Sequence, residues 1–215
     1  MNDERAEDEP KSLVRAEGNT IFFFCDVTHD TVRDLCTLLK KVSLVLDAIK
    51  IAIRSDGGDV YAGLAAMDYI RTLTARGITI DTVAYGICAS AATFILLAGS
   101  RRLMGKNSYV LIHQLSADMW GKYEELKDEM RTNKKIMKHL ARLYTEETSV
   151  PPEKLEKLMT RDVTNIQAAS VRYQCRRIAT FSPCPERVVP DFKIDGFFLF
   201  KILCFLFEGR KTVAY

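Results

Sequence analysis

The strongest constraint on the fold is an alternation of short β-rich runs and amphipathic runs between residues 20 and 162. Strand-like runs occupy 20–26, 48–55, 78–86 and 109–114, and helix-like runs occupy 28–46, 59–77, 89–99, 122–144 and 151–162. In the first helix, Val32, Leu35 and Leu39 share one face, and Thr28 stands at a favourable N-cap position. This alternation predicts an α/β domain with helices packed on a largely parallel sheet.

The composition of the chain changes near Tyr173. Residues 174–215 hold seven of the eleven phenylalanines and seven Lys or Arg against four Asp or Glu, whereas residues 1–173 are neutral overall. We therefore expect an acidic disordered leader over 1–17, a domain over 18–173 and a divergent tail of unknown structure over 174–215. Two interpretations of the tail stay open: an extension whose strand or helix packs on an assembly of this chain or on a partner, and a product of an altered reading frame.

The same composition argues against several classes of protein. The six cysteines, at 25, 36, 88, 175, 184 and 204, form no CxxC pair and no zinc-type Cys/His spacing. We expect reduced thiols, no metal site and a cytoplasmic location. The body has no basic stripe for nucleic acid, and the apolar run at 197–207 is too short to span a membrane and contains a lysine. The acidic N-terminus is not a signal peptide.

Four segments at the ends of predicted elements carry candidate chemistry. The run SDGGD (55–59) joins a strand to a helix, Ser90 lies among small residues at a helix start, His113 ends a strand and Asp162 follows a helix. Each has a plainer alternative: an ordinary turn, a packed helix serine, a structural histidine and a surface Arg–Asp pair. A serine, a histidine and an aspartate at element ends are nevertheless the parts of an acyl-transfer triad.

Residues 48–173 resemble the ClpP family, the proteolytic subunits of ATP-dependent Clp proteases. The likeness rests on four segments in the family's order, namely IRSDGGDVYAGLAAMDYI, GICASAATFILLAG, LMGKNSYVLIHQ and TRDVTNIQAASVRY. The resemblance implies an α/β fold of the ClpP/crotonase type, built from repeated β-β-α units. It also implies that the charged helix at about 122–144 protrudes as a handle.

The resemblance assigns a role to each matching residue. It implies Ser90 as the nucleophile, His113 as the general base and acid, and Asp162 as the group that orients the imidazole. The backbone N–H groups of Gly58 and Ala91 would form the oxyanion hole. Substrate-binding residues would be Asp56, Gly57, Gln114 and Leu115. Asp56 and Leu115 stand where the family usually has proline. The Gly-Leu-Val-Asp strand that follows the final tyrosine in the family is absent from this sequence.

The function that the resemblance implies is serine endopeptidase activity on unfolded polypeptides, inside a chamber of two stacked seven-membered rings. A partner AAA+ unfoldase would use ATP, so the chain itself would need no cofactor. The departures from the family pattern also suit a virus- or phage-encoded member. Two alternatives stay open: a catalytically silent ring subunit, and a crotonase-type acyl-CoA enzyme, which would need acidic catalytic residues.

Overall fold

The computed structural model describes residues 12–160 and the strand at 178–181, all within the first of the chain's two units, Met1–Ser182. The strands are β1 (Val14–Glu17), β2 (Thr20–Phe23), β3 (Ala48–Ser55), β4 (Thr79–Ala89), β5 (Arg101–Gly105), β6 (Tyr109–Leu111) and β7 (Ile178–Phe181). The helices are α1 (His29–Ser43), α2 (Val60–Ala75), α3 (Ala92–Leu97), α4 (Tyr123–Glu147) and α5 (Pro152–Thr160). Asp162, residues 1–11 and the tail beyond β7 lie outside the described residues.

One sheet contains the seven described strands. Its order is β1-β2-β3-β4-β5-β7, and β6 pairs with β4 beside this path. The β1–β2 pair is antiparallel, and every other described pair is parallel. The predicted α/β architecture with a largely parallel sheet is therefore confirmed.

The first strand corrects the predicted extent of the leader. Residues 14–17 form β1, which turns through Gly18 and Asn19 and pairs with β2. Gly18 has a φ of +56°, a conformation that glycine adopts readily at such a turn. The Val14 side chain is buried, so the last four residues of the predicted leader belong to the domain.

Capping residues begin the two long helices that face the sheet. The Thr28 hydroxyl accepts a hydrogen bond from the Thr31 N–H, and the Thr31 hydroxyl accepts one from the Thr28 N–H, which confirms Thr28 as the N-cap of α1. Asp59 caps α2 by accepting a 2.6 Å hydrogen bond from the Ala62 N–H. These caps set the position at which each chain segment leaves the edge of the sheet.

The core lies between the sheet and helices α1 to α3, and buried side chains of α4 and α5 join it. Its fully buried large side chains include Phe23, Leu35, Ile51, Met67 and Phe94. Every residue of α3 is buried, as its largely apolar sequence predicts. Gly63 of α2 allows close contact with the start of α3, because a β-carbon there would lie 2.8 Å from the Ala91 carbonyl oxygen.

Helix α4 is held at its C-terminal end. Over residues 123–139 the side chains are exposed or half-buried, whereas Leu140, Leu143 and Tyr144 are buried. Glu147 forms ion pairs with Arg71 of α2 and Arg102 of β5. The helix extends three residues beyond the predicted end at 144 because this long-range anchoring continues to Glu147.

Candidate active site

Three parallel strands end at the same edge of the sheet and bring the predicted site segments together. Ser55 at the end of β3 pairs with Cys88 of β4, and Ala89 at the end of β4 pairs with Leu111 at the end of β6. The glycine turn after β3, Ser90 after β4 and His113 after β6 therefore leave the sheet from one edge. In open α/β sheets this carboxyl edge is where ligands bind.

Ser90 occupies a turn between β4 and α3. Its φ is +52°, and among the described residues it is the one non-glycine with a positive φ. The sequence predicts Ser90 in the first turn of a helix, whereas in the structure it precedes the N-cap Ala91. The left-handed conformation costs an L-residue about 1–2 kcal/mol of free energy, so the surrounding contacts must hold Ser90 in it.

Backbone hydrogen bonds hold both sides of Ser90. Its N–H donates to the Leu111 carbonyl oxygen over 2.9 Å, and its own carbonyl oxygen accepts from the Thr93 N–H over 3.0 Å. The Thr93 hydroxyl donates a second hydrogen bond to the same carbonyl, at 2.6 Å. The Ser90 side chain itself is half-buried, so it is partly accessible to a reagent or substrate.

The glycine turn after β3 packs directly against Ser90. Gly57 and Gly58 have φ values of +105° and +141°. A β-carbon on Gly57 would lie 2.6 Å from Ser90 Cβ, and one on Gly58 would lie 2.3 Å from the Val27 carbonyl oxygen. Only glycine fits these two positions, because both the conformation and the space exclude a side chain.

Val27 fixes the glycine turn from the other side, and sequence reasoning missed it. Its N–H donates to the Gly57 carbonyl oxygen and its own carbonyl oxygen accepts from the Asp59 N–H, both over 2.8 Å. This isolated parallel bridge continues the β2–β3 pairing beyond the strand ends. The β-rich run 20–26 reaches to within one residue of Val27, which was the available signal.

Two backbone N–H groups beside Ser90 have no acceptor within the part of the chain that the structure describes. They belong to Gly58 and to Ala91. Ala91 lies at the start of α3, where backbone N–H groups have no partner within the helix. Such N–H groups can stabilise a developing oxyanion, which is the arrangement that acyl transfer requires.

His113 lies two residues beyond the end of β6 and is half-buried. No hydrogen bond joins the Ser90 hydroxyl to the His113 ring in the described residues. Asp162, the third predicted member of the triad, lies outside them. The structure thus brings Ser90 and His113 to one edge of the sheet but does not show a closed triad.

The predicted substrate-binding residues lie on both sides of this edge. Asp56 is exposed and lines a surface groove with Asp59 and the segment 26–29. The Leu115 N–H donates to the Met137 sulfur of α4 over 3.2 Å, so the segment after His113 contacts the handle helix. Gln114 is half-buried beside them.

The described cysteines are poor candidates for a nucleophile. Cys25, Cys36 and Cys88 are free thiols. Burial raises the pKa of Cys25 and of Cys36 to about 11, and burial raises the pKa of Cys88 further. A thiol is reactive as its thiolate, so these groups are unreactive near neutral pH. In the same residues there is no group of three His, Cys, Asp or Glu that could hold a metal ion.

Similarity to known proteins identifies the family. A family model described as Clp protease matches residues 2–173. The chain belongs to the Clp protease family. This finding confirms the resemblance that the four sequence segments indicated, and it covers the leader region that those segments did not reach.

Curated relatives of this Clp protease family member are named ATP-dependent Clp protease proteolytic subunits. The one from Deinococcus radiodurans is 32% identical over 127 residues, which are 58% of this chain and 61% of the relative. Subunit 2 from Treponema denticola is 35% identical over 150 residues, 69% of this chain and 72% of the relative. The chain thus spans about three fifths to three quarters of these two relatives.

A solved structure confirms the fold. A mutant of ClpP1 from Listeria monocytogenes superimposes with a TM-score of 0.63 at 23% identity, covering 77% of this chain and 93% of that chain. The ClpP-type fold predicted from the sequence is therefore confirmed. Within the described residues, no helix is both long and apolar enough to cross a membrane.

Proposed function

We propose that this chain is a serine-type endopeptidase that cleaves unfolded polypeptides. The observation that carries the proposal is the conformation of Ser90, which is held with positive φ against a two-glycine turn and beside two N–H groups without described acceptors. Strained serines on a strand-to-helix turn present their hydroxyl to substrate and place backbone N–H groups next to it. The names of the relatives support the same reaction class.

The proposed chemistry is acyl transfer. The Ser90 hydroxyl oxygen attacks the peptide carbonyl carbon while His113 accepts the hydroxyl proton, and the oxyanion accepts hydrogen bonds from the N–H groups of Gly58 and Ala91. His113 then gives the proton to the leaving amine, and water hydrolyses the ester by the reverse use of the same groups. Asp162 orients the imidazole and stabilises its charged form. The proposed steps use no metal ion or cofactor bound by this chain.

We also propose that the chain assembles into stacked rings, seven-membered as the family resemblance implies, and receives substrate from a partner AAA+ unfoldase that uses ATP. Exposed apolar side chains near the start of α4 support self-association. Trp120 is 97% exposed, Tyr123 70% and Met130 60%. Assembly would remove such large apolar side chains from water, which is favourable. A closed chamber would keep a nucleophile of low selectivity away from folded proteins.

The test compares the wild-type chain with Ser90→Ala and with Ser43→Ala, a control at the last residue of α1. A fluorophosphonate probe is expected to label the wild type and Ser43→Ala and to leave Ser90→Ala unlabelled. Peptide hydrolysis by Ser90→Ala is expected to fall by about 10⁶-fold, the loss typical of a removed nucleophile. Labelling that persists in Ser90→Ala refutes the assignment.

A silent ring subunit is the competing function, and it predicts the opposite outcome in this assay. A folded and assembled wild-type chain that neither takes the probe nor cleaves short peptides would support this alternative and contradict ours. Electron microscopy of the same sample establishes whether rings are present, so that a failure of assembly is not mistaken for a silent site.

A further inference from the structure

Two buried hydroxyl groups connect helix α4 to the turn that contains Ser90. Thr93 is 1% exposed and Tyr144 is 2% exposed. The Thr93 Oγ1 atom lies 2.6 Å from the Ser90 carbonyl oxygen and 2.7 Å from the Tyr144 hydroxyl oxygen. Two side chains that are 51 positions apart in the chain thus meet next to the Ser90 carbonyl group.

The direction of each hydrogen bond follows from the number of protons. A threonine hydroxyl has one proton, and the Ser90 carbonyl oxygen can only accept, so Thr93 donates to it. The Tyr144 hydroxyl must then donate to Thr93 Oγ1. Burial raises the pKa of the Tyr144 phenol, outweighing the hydrogen bond with Thr93, so the phenol stays protonated and remains a donor. The relay runs from Tyr144 through Thr93 to Ser90.

The end of the relay fixes the backbone of Ser90. The Ser90 carbonyl accepts two hydrogen bonds, from the N–H and from the hydroxyl of Thr93. Rotation of this peptide group towards an ordinary conformation would break both of them, and it would also turn the N–H of Ala91, which belongs to the same peptide unit. The relay therefore acts on the serine and on one of the two candidate oxyanion donors.

The other end of the relay is anchored in the core. The Tyr144 ring lies with its centroid 5.7 Å from that of Phe94 on α3. One turn later, Glu147 joins the last turn of α4 to Arg71 and Arg102. The Tyr144 hydroxyl is consequently held at a fixed position relative to the sheet, as a positioning group requires.

We infer that Thr93 and Tyr144 are positioning residues, which hold Ser90 in its left-handed conformation and orient the Ala91 N–H for reaction. The inference rests on the proposed function, because it assigns a role to residues that do not touch substrate. It differs from plain core packing in one respect: the hydroxyl groups, and not the volume of the side chains, are what the reaction needs.

The test removes each hydroxyl while keeping the shape of the side chain. Thr93→Val and Tyr144→Phe are expected to lower kcat for a short peptide, and the rate of fluorophosphonate labelling, by roughly 10- to 100-fold with little change in KM. Thr93→Ser keeps the hydroxyl and is expected to restore most of the rate. Because the groups act in series, Tyr144→Phe is expected to add little to Thr93→Val.

Thr82→Val is the matched control. The buried Thr82 hydroxyl also donates to a backbone carbonyl of α3, that of Leu96, over 2.6 Å, but at the end of the helix remote from Ser90. The Thr82→Val substitution is expected to lower Tm about as much as Thr93→Val does, and to leave the labelling rate of the folded protein unchanged. Equal labelling rates for folded Thr93→Val and wild type, or equal losses in Thr82→Val and Thr93→Val, overturn the inference.

Hydrogen exchange separates this inference from the proposed function. The amides of the peptide that spans Ser90 are expected to exchange faster in Thr93→Val and Tyr144→Phe than in wild type, and at the wild-type rate in Thr82→Val. This readout needs no catalysis. A wild-type chain that takes no probe refutes the proposed function, whereas unchanged exchange in both relay variants refutes the relay.

Discussion

Replacing Gly57 with alanine tests the contact between the glycine turn and Ser90. Two effects add at this position: a φ of +105°, which disfavours an L-residue, and a β-carbon placed 2.6 Å from Ser90 Cβ and 2.9 Å from the Ala89 carbonyl oxygen. Carbon atoms in contact normally lie about 3.5–4.0 Å apart, so the turn and Ser90 must separate by about 1 Å. The opposing atoms belong to backbone or lie next to it, so no side-chain rotation relieves the overlap.

Gly77→Ala isolates the conformational part of this effect. Gly77 has a similar φ, +96°, and nothing lies within 4 Å of the position of its β-carbon. Strain of about 1–3 kcal/mol, less about 0.4–1 kcal/mol from the lower entropy of the unfolded chain, leaves a net loss of roughly 1 kcal/mol. The overlap at Gly57 adds about 1–3 kcal/mol, so Gly57→Ala is expected to lower the free energy of unfolding by about 3 kcal/mol in total.

The assay is thermal unfolding with parallel fluorophosphonate labelling. The expected decrease in Tm is ~2–4 °C for Gly77→Ala and ~6–12 °C for Gly57→Ala in a chain of this size. All samples are compared at one protein concentration, because association changes Tm. Gly57→Ala is also expected to lose labelling at temperatures where it is folded, whereas Gly77→Ala keeps it. Equal Tm shifts with labelling retained in both would show that the turn does not contact Ser90 as described.

Three further predictions concern the anchoring of α4, the start of α2 and the thiols. Burial alone would raise the pKa of Glu147, but the hydrogen bond from Arg102 and the charges of Arg102 and Arg71 outweigh it and lower the pKa. The stabilisation by Glu147 is therefore present above pH ~4.3 and is lost as the pH falls through the folded-state pKa of this group. Glu147→Gln should be about 2 kcal/mol less stable than wild type at pH 7. In acid, the free energies of unfolding of the two proteins, measured by chemical unfolding, should approach each other. Asp59→Ala should cost about 1 kcal/mol by removing the helix cap, and Asp59→Ser should recover most of it in the same assay. At pH 8, native Cys25 and Cys36 should react with iodoacetamide ~10²-fold more slowly than a free thiol, as followed by peptide mass spectrometry, because burial raises each pKa to about 11; ordinary rates would contradict the described burial.

Elements with a local cause were predictable from the sequence. Helix α1 begins after Thr28 because a threonine hydroxyl can accept from the first turn wherever the fold places it. Strand β3, Ala48–Ser55, matches the predicted range. Two glycines, Gly57 and Gly58, follow shortly after it, and a Gly-Gly pair is typical of a turn. These signals depend only on neighbours along the chain, so they are visible without the tertiary structure.

Elements with a long-range cause were not predictable. Strand β5 begins with Arg101 and Arg102, which show no apolar alternation, and it is stabilised by partners from elsewhere: Asp81 on β4 and Glu147 on α4. Strand β7, Ile178–Phe181, lies in the tail for which the sequence predicted no secondary structure, and it pairs with β5. Pairing between distant strands leaves little trace in the local sequence.

For the candidate site, the sequence by itself determined the residue types and their order: two glycines, a serine among small residues and a histidine after a strand. It also determined the family, because four motifs in order are specific where each alone is weak. Only the tertiary structure decided that Ser90 adopts a positive φ outside the helix and that Val27 holds the glycine turn. It also decided that the Tyr144 hydroxyl forms a hydrogen bond with Thr93, next to Ser90. The physical reason is that a local sequence favours the ordinary conformation of a serine, and contacts from distant strands and helices are needed to hold it elsewhere.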